Sequence, residues 1–436
     1  MVERILPHPV RPPVPSDPLI FDGPSVDARD AARTGLYVHV PFCAVRCGYC
    51  HFSTGPLSAA AVERWFRALE RECALRAESA SSVSFTSLFF GGGTPSQLSS
   101  RHFARLDALL RSHFTIAPDA EVTLEANPES VRPALLEAWR GAGVNRLSMG
   151  VQSFEPEELR QLDRIHGAAK PAEALALART HGFTRLSLDL MFAYPGHRLE
   201  AFERSLEHAL SLGPEHLSAY AYIPEPGTPM GDAVERGEQH VADDETQAAM
   251  YAHLIDRTRR QGWIHYETSN VCEPGAEARH NLTYWLRRDY LGLGPSAHGF
   301  WRGERYGNAY ALADWAGRLE RGESPESERE LETESSLAEE IVMLGLRLGS
   351  GLRINDHPPA VWSRVERRFG NAFTQAGREG RLERTAGGWR IAPALRFVAD
   401  DIIAWLAARA DACGFDSVSQ PSIITPPCPS PLSPAA

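Results

Sequence analysis

Leu36-Tyr37-Val38-His39-Val40-Pro41-Phe42-Cys43-Ala44-Val45-Arg46-Cys47-Gly48-Tyr49-Cys50 joins an apolar, β-rich run to three cysteines within eight residues. The run predicts a strand, and the thiols then fall on the loop at its carboxyl end. Three soft thiolates on one loop can wrap an iron–sulfur cube, whose four irons are normally held by four cysteine sulfurs. The fourth sulfur is missing here. One iron would keep an open coordination position, which is where a metal does chemistry or takes a ligand. The competing reading is a zinc site completed by His51. Against it, the side chains of Cys50 and His51 are adjacent and point apart. Structural zinc sites also use paired knuckles well separated in sequence, and no second cysteine pair is present.

From Gly35 onward the chain alternates short β-rich runs with amphipathic runs. Strands are predicted at Leu36–Val40, Ser84–Phe90, Glu121–Glu125, Arg146–Gly150, Arg185–Leu190 and His216–Ile223. Helices are predicted over 58–78, 99–113, 130–141, 156–164, 171–181 and 199–211. In the last, Leu199, Phe202, Leu206 and Leu210 share one face opposite Glu203, Arg204 and Glu207. Successive strand–helix units imply parallel strands with right-handed crossovers, hence an α/β fold built on a curved sheet or incomplete barrel. Functional loops belong at the carboxyl ends of such strands. Residues 224–246 break the rhythm, a helix follows over 245–260, and 321–336 is acidic, polar and expected to be exposed. A further helix is predicted over 337–348. Residues 352–410 then read as a small α/β module, with Gly387-Gly388-Trp389 suited to a hairpin turn. The Pro-rich residues 1–34 read as an extended arm, and the Ser/Pro-rich 413–436 as a tail without fixed structure.

The bulk numbers narrow the partners. The chain has 436 residues, 43% hydrophobic, enough for a large core and more than one domain. Its formal net charge of −11, without long runs of like charge, argues against nucleic acid. No apolar stretch reaches the length of a membrane span, and the first residues lack a signal-peptide core. Seven cysteines, an odd number with three clustered, suit reduced cytoplasmic metal ligands better than a disulfide framework. Cys73 shares a helical face with Val62, Trp65, Phe66 and Leu69 and is expected in the core. Cys272, Cys413 and Cys428 stand alone.

Further signals recur one strand at a time. Phe90-Gly91-Gly92-Gly93-Thr94-Pro95-Ser96 follows the second strand, with glycines where backbone must turn sharply or approach a ligand. No Gly-Lys-Ser/Thr follows, so this is not a phosphate loop. Glu125, Gln152, Arg164 and Asp189 lie at or just beyond strand ends. Glu125 and Asp189 are flanked by apolar residues, where an unpaired carboxylate is costly. Either a structural ion pair with Arg164 or Arg146, or a ligand bearing hydroxyls, an amine and a carboxylate, would satisfy them.

With these motifs the chain resembles the radical S-adenosylmethionine (SAM) superfamily, in the branch of oxygen-independent coproporphyrinogen III oxidases and their relatives. The resemblance covers about residues 36–410. It rests on Tyr-Val-His-Val-Pro-Phe-Cys-x3-Cys-x2-Cys, Phe-Gly-Gly-Gly-Thr-Pro-Ser, Gly-Val-Gln-Ser-Phe and Leu-Gly-Pro-Ser-Ala-His at 293–298. It implies a partial (β/α)6 TIM barrel over 35–260, a connecting segment over 261–336 and a winged-helix-like C-terminal α/β domain over 337–412. It also implies a [4Fe-4S] cluster on Cys43, Cys47 and Cys50. SAM would chelate the open iron, and an electron from the cluster would split its sulfonium. Carried over by motif, the SAM contacts are Tyr37, Tyr49, Gly92, Gly93, Thr94, Glu125, Gln152, Arg164 and Asp189. An arginine suits a carboxylate, and carboxylates suit hydroxyls or an amine.

Two sister groups of this branch differ at two places. The decarboxylating oxidases carry another cysteine two residues after the last cluster ligand, where this chain has Phe52. The HemW-type haem chaperones have an aromatic there and add a His-Asn-x-x-Tyr-Trp signature, matched by His280-Asn281-Leu282-Thr283-Tyr284-Trp285. On a helix, His280 and Tyr284 share a face. An imidazole is a common axial ligand of haem iron and aromatics can pack on a porphyrin, so these four residues are candidate haem contacts. His39, His265 and His298 are further candidates. The bland alternative is a local arrangement in which Asn281 caps a turn and Tyr284 and Trp285 are buried. The resemblance thus implies a haem chaperone passing haem to acceptor haemoproteins, membrane respiratory enzymes among them, with homodimers open to the family. The alternatives are the oxidase and a purely structural zinc-binding barrel.

Overall fold

Strict in–out alternation along each strand builds the central sheet. In the computed structural model, which describes residues 33–412, the parallel strands are β1 (Gly35–Val40), β2 (Ser84–Gly92), β3 (Thr115–Ala126), β4 (Arg146–Gln152), β5 (Leu186–Phe192) and β6 (His216–Ala221). Leu36, Val38, Leu124, Leu147, Leu188 and Leu217 point to one side and are fully buried. The helices that cover this side are α1 (Ala59–Ala80), α2 (Ser100–His113), α3 (Pro133–Gly141), α4 (Pro156–Gln161), α5 (Lys170–Thr180) and α6 (Leu199–Ser211). On α6, Phe202, Leu206 and Leu210 are buried as the sequence stripe predicts. Each such side chain contributes roughly 2 kcal/mol by leaving water. α1 starts where the Ser58 hydroxyl accepts the Ala61 N–H, and buries Cys73 among Trp65, Phe66 and Leu69 as expected.

Beyond β6 come α7 (Pro229–Glu235) and α8 (Asp244–Arg259). Residues 264–331, which the sequence pattern does not resolve, then extend both edges of the sheet. β7 (Ile264–Glu267) and β8 (Asn270–Cys272) add antiparallel strands beside β6. After α9 (Arg279–Trp285), β9 (Tyr290–Leu293) pairs parallel with β1. β10 (His298–Trp301) and β11 (Glu304–Asn308) continue outward, and after α10 (Leu312–Glu320) the strand β12 (Glu326–Leu331) ends that edge. The full order is β12-β11-β10-β9-β1-β2-β3-β4-β5-β6-β8-β7. The ends do not meet, so the barrel is partial. The acidic stretch expected to be exposed does expose the side chains of β12, but its backbone is ladder-bonded.

A separate apolar cluster binds α11 (Glu334–Gly345), the strands β13 (Leu352–Arg353), β14 (Leu382–Thr385) and β15 (Gly388–Ile391), and the helices α12 (Pro359–Arg378) and α13 (Ala399–Ala412). Three helices with a three-stranded antiparallel sheet give the winged-helix-like arrangement. The hairpin turn falls at Ala386-Gly387. Gly388 and Trp389 are already in β15, because Trp389 pairs with Leu352 and Arg384. The predicted arm, apart from Arg33 and Thr34, and the tail with Cys413 and Cys428 lie outside the described residues. Among the described residues, no helix is long and apolar enough to cross a membrane.

One buried carboxylate fastens the β9 side of the barrel to its helices. Glu72 of α1 is fully buried and accepts four hydrogen bonds: from Arg76 (3.0 Å), Asn308 (2.8 Å), the Gly294 N–H (2.8 Å) and the Trp315 indole (3.2 Å). The Leu-Gly-Pro-Ser-Ala-His motif is therefore anchored through its glycine. Gly294 has φ +97°, and a side chain there would meet the His39 carbonyl. Glu72→Leu takes the acceptor from the Gly294 N–H and the Trp315 indole and leaves Arg76 with Glu326 as its ionic partner, and is expected to cost about 3 kcal/mol in urea unfolding. A loss below about 1 kcal/mol would contradict this role.

Candidate functional site

The inner face of the same strands carries the polar half of the alternation. Thr123 and Glu125 of β3, Ser148 and Gly150 of β4, Ser187 and Asp189 of β5, and Ser218 and Tyr220 of β6 all line one cavity of about 330 Å³. The three cysteines line the same cavity. Their loop is held at Gly48, whose N–H donates to Asp163 (3.1 Å) and whose carbonyl accepts from Met230 (2.9 Å). Burial pushes the Cys50 thiol up to about 11, so a metal that takes this sulfur must displace its proton.

Tyr49, Gly92, Gly93, Thr94, Glu125, Gln152, Arg164 and Asp189, all named by the sequence, converge on this space. Gly92 has φ +110° and its missing side chain leaves room for the His39 ring, 2.6 Å from where a Cβ would stand. A Cβ on Gly93 would meet the Phe42 backbone at 2.8 Å. The Thr94 hydroxyl lies 3.2 Å from the Cys43 sulfur. A bulge between Gly150 and Gln152 turns Gln152 inward at φ +71°, where its carbonyl oxygen accepts from Tyr220 (2.8 Å). Arg164 donates to Asn127 (2.7 Å), to the Gly150 carbonyl, and to the Cys47 sulfur at 3.5 Å.

Of the two alternatives for the carboxylates, a direct ion pair with Arg164 or Arg146 does not form among the described residues. Glu125 accepts only the Gly92 N–H (3.1 Å), and burial together with the nearby Asp189 pushes it up to about 8. Asp189 accepts from Ser148 (2.9 Å), and burial lifts it to about 6 against hydrogen bonds from Ser148 and Ser218. Arg146 instead faces Glu121 at 3.8 Å. Glu125 thus has no counter-cation at contact, and Asp189 feels Arg164 and Arg146 only at longer range, an environment that a ligand bearing an ammonium or sulfonium and hydroxyls would complete.

The remaining named residues sit elsewhere. Tyr37 is on the inner face, with its hydroxyl 3.1 Å from His39 Nδ1 and its ring stacked on Phe89. Both ring nitrogens of His280, a candidate haem ligand, are engaged within the protein in this arrangement. Its ring is 1% exposed, with Nδ1 2.9 Å from the Ser87 hydroxyl and Nε2 2.7 Å from Tyr284, and burial holds its pKa down near 3. Nor does Asn281 cap a turn. The cap position is Ala278, and Asn281 lines the cavity. Trp285 packs outside, against the cluster containing Tyr266 and Leu282. α9 therefore floors the barrel at the amino ends of the strands, docked by the His280 N–H to Glu121 (3.0 Å). His39 and His265 are likewise buried with both ring nitrogens engaged, while His298 is exposed on β10 beside Glu328.

Sequence reading missed Asn127, Ser148, Ser218 and Tyr220. For Asn127 and Ser148 the signal available was the alternation itself, two residues from Glu125 and four from Gln152; Ser218 and Tyr220 alternate with buried Leu217 and Ala219 on a strand that carries no named position.

The site can be tested for a cluster on its own residues. Among the described residues, no three His, Cys, Asp or Glu side chains converge on one ion position. A cubane takes one thiolate at each of three separate irons and does not need such a point. The loop thiols, with a guanidinium beside Cys47 and an uncompensated polar wall beneath, fit that group.

Comparison with known proteins agrees. The sequence model of the Radical SAM superfamily matches residues 37–209. The Heme chaperone HemW of Mycobacterium tuberculosis (strain ATCC 25618 / H37Rv) is 40% identical over 321 residues, 73% of this chain and 82% of the relative. Heme chaperone HemW of Bacillus subtilis (strain 168) is 35% identical over 318 residues, 72% of this chain and 84% of that one. Among solved structures, coproporphyrinogen III oxidase (HemN) from Escherichia coli, described as a radical SAM enzyme, superposes with a TM-score of 0.74 at 22% identity, over 89% of this chain and 95% of that chain.

The raised Glu125 pKa carries a pH consequence with a fixed sign. A carboxyl whose folded-state pKa lies above its unfolded value stabilises the fold below the unfolded value, and that contribution is lost as pH rises through about 8. Above about pH 7 the buried histidines are neutral both folded and unfolded and add no slope. The ligand-free native chain should therefore lose thermal stability up to about pH 8 more steeply than Glu125→Gln, with the difference in slope gone above it. Parallel melting curves for the two proteins would refute the assignment.

Proposed function

As the chain belongs to the HemW-type proteins of the radical SAM superfamily, we propose that it is a haem chaperone. In this reading it binds haem, carries a SAM-liganded [4Fe-4S] cluster and passes haem to acceptor haemoproteins such as membrane respiratory enzymes. Cys43, Cys47 and Cys50 would hold the cluster. When bound, the cluster supplies electrons and an open iron for the SAM amino and carboxylate groups.

The chain's own residues have definable tasks. Backbone at Gly92 and Gly93 admits the ligand closely. Glu125, protonated at neutral pH, can donate a hydrogen bond, while Asp189, pushed only to about 6, remains an acceptor. Arg164 holds positive charge beside the Cys47 sulfur and within reach of the cavity. Tyr220 fixes the Gln152 amide. α9 closes the floor, so that Asn281 rather than His280 meets whatever fills the space.

The observation that carries the chaperone reading over the oxidase is Phe52. It stands exposed at the cavity mouth, where the decarboxylating relatives have a cysteine. An inert aromatic there offers no thiol to the substrate radical chemistry of an oxidase.

The test is an anaerobically reconstituted sample. The native chain should carry one cluster, change its cluster spectrum on adding SAM, bind haem and donate it to an apo-haemoprotein, followed by the Soret band. Cys47→Ala should lose the cluster; full retention of iron and sulfide would defeat the ligand assignment. Given coproporphyrinogen III, SAM and a reductant, the chain should make no protoporphyrinogen, and its formation would overturn the chaperone reading in favour of the oxidase.

A further inference from the structure

The cavity and the floor leave the haem without an obvious seat. At about 330 Å³ the cavity suits one ligand of SAM's size. His280, His39 and His265 are buried and fully hydrogen-bonded.

The mouth beside the cysteine loop is different. His51 directly follows Cys50, and its side chain is 40% exposed. Its Nδ1 lies 3.7 Å from the Glu225 carboxylate, within ion-pair range, and Nε2 has no protein hydrogen bond among the described residues. A carboxylate behind one imidazole nitrogen is the support that metal-ligating histidines use, because it fixes the tautomer and raises the basicity of the other nitrogen. Exposed apolar side chains stand beside this ring and on the neighbouring loops. Phe52 (53% exposed) sits 5.1 Å from the His51 ring centroid. Tyr310 (47% exposed) donates its hydroxyl to the His51 carbonyl, and its own carbonyl accepts from Ser53. Val45 lies on the cysteine loop, and Ile223 (70% exposed) is two residues from Glu225. Arg46, exposed on the same loop, is tied to the Cys50 carbonyl at 3.1 Å and brings a cation to the rim.

From these observations, and resting on the haem reading above, we propose that haem docks on this rim, outside the barrel. His51 is its axial ligand, oriented by Glu225; Phe52, Tyr310 and Val45 pack on the macrocycle, and Arg46 pairs a propionate. An apolar disc with a metal at its centre and carboxylates at one edge is the occupant whose chemistry this combination matches. Apolar contact, a supported imidazole and one cation occur together here. The binding is a ligation with no covalent or redox step, so nothing further is consumed.

The experiment is anaerobic haem titration of the native, cluster-loaded full chain beside His51→Ala and Glu225→Gln. The native chain should give an imidazole-ligated haem spectrum. His51→Ala should bind at least about tenfold more weakly and lose that spectrum, and added free imidazole should restore it. Glu225→Gln, which lies outside the cysteine loop, should weaken binding by about tenfold. Iron–sulfur content should be native in both variants. Native haem affinity and spectrum in both variants would overturn the rim site while leaving the chaperone reading in place. Failure of the native chain to bind haem at all would overturn that reading and this site with it.

Discussion

Two carboxyl groups facing one another across the inner wall of a half-closed sheet are the constraint around which this molecule is arranged. Glu125 on β3 and Asp189 on β5 are half-buried on the cavity wall, and among the described residues neither makes a direct ion pair. Replacing such groups with apolar ones would be the cheaper way to fill a core. Keeping them requires a sheet that curves enough to hold a polar interior. It also requires helices that bury every outward leucine, and an occupant that brings the missing hydrogen bonds and charge. The cysteine loop stands above that interior because β1 ends there, and the glycine loop after β2 clears its path.

The parallel part of the fold was legible because its code is local. Alternation and helical stripes place Leu36–Val40, Ser84–Phe90 and 199–211 within two residues of their observed bounds. The added edges were not. β9 is four residues long and β8 three, shorter than any reliable periodic signal, and β12 is Glu-Ser-Glu-Arg-Glu-Leu, whose polarity hides a strand stabilised only by its ladder. These strands are defined by partners far away in sequence.

The site divides in the same way. Residues whose task depends on their strand-end position, such as Gly92, Glu125, Gln152 and Asp189, were found from sequence because a buried charge or a glycine run is conspicuous there. Residues of the His280 motif could be named but not oriented. One helical turn decides that Asn281 looks into the cavity while His280 is clamped between Ser87 and Tyr284 and Trp285 faces away. A signature read as one ligand set is, in three dimensions, a floor with a single inward polar group. His51 shows the converse, a residue that spacing rejects as a zinc ligand yet whose partly exposed ring stands beside a carboxylate and two aromatic side chains.

An open sheet has two free rims, and this chain treats them differently. At β12 the rim is lined with exposed charged side chains. At β7 all four residues are buried, because residues 347–349 run alongside it: Gly349 donates to the Tyr266 carbonyl, and Arg396 reaches His265. The C-terminal module thus serves as a cover for an apolar edge. Without it, β7 would offer an unpaired row of amides and carbonyls to any neighbouring chain, a template for self-association. Its presence removes that template from the β7 rim.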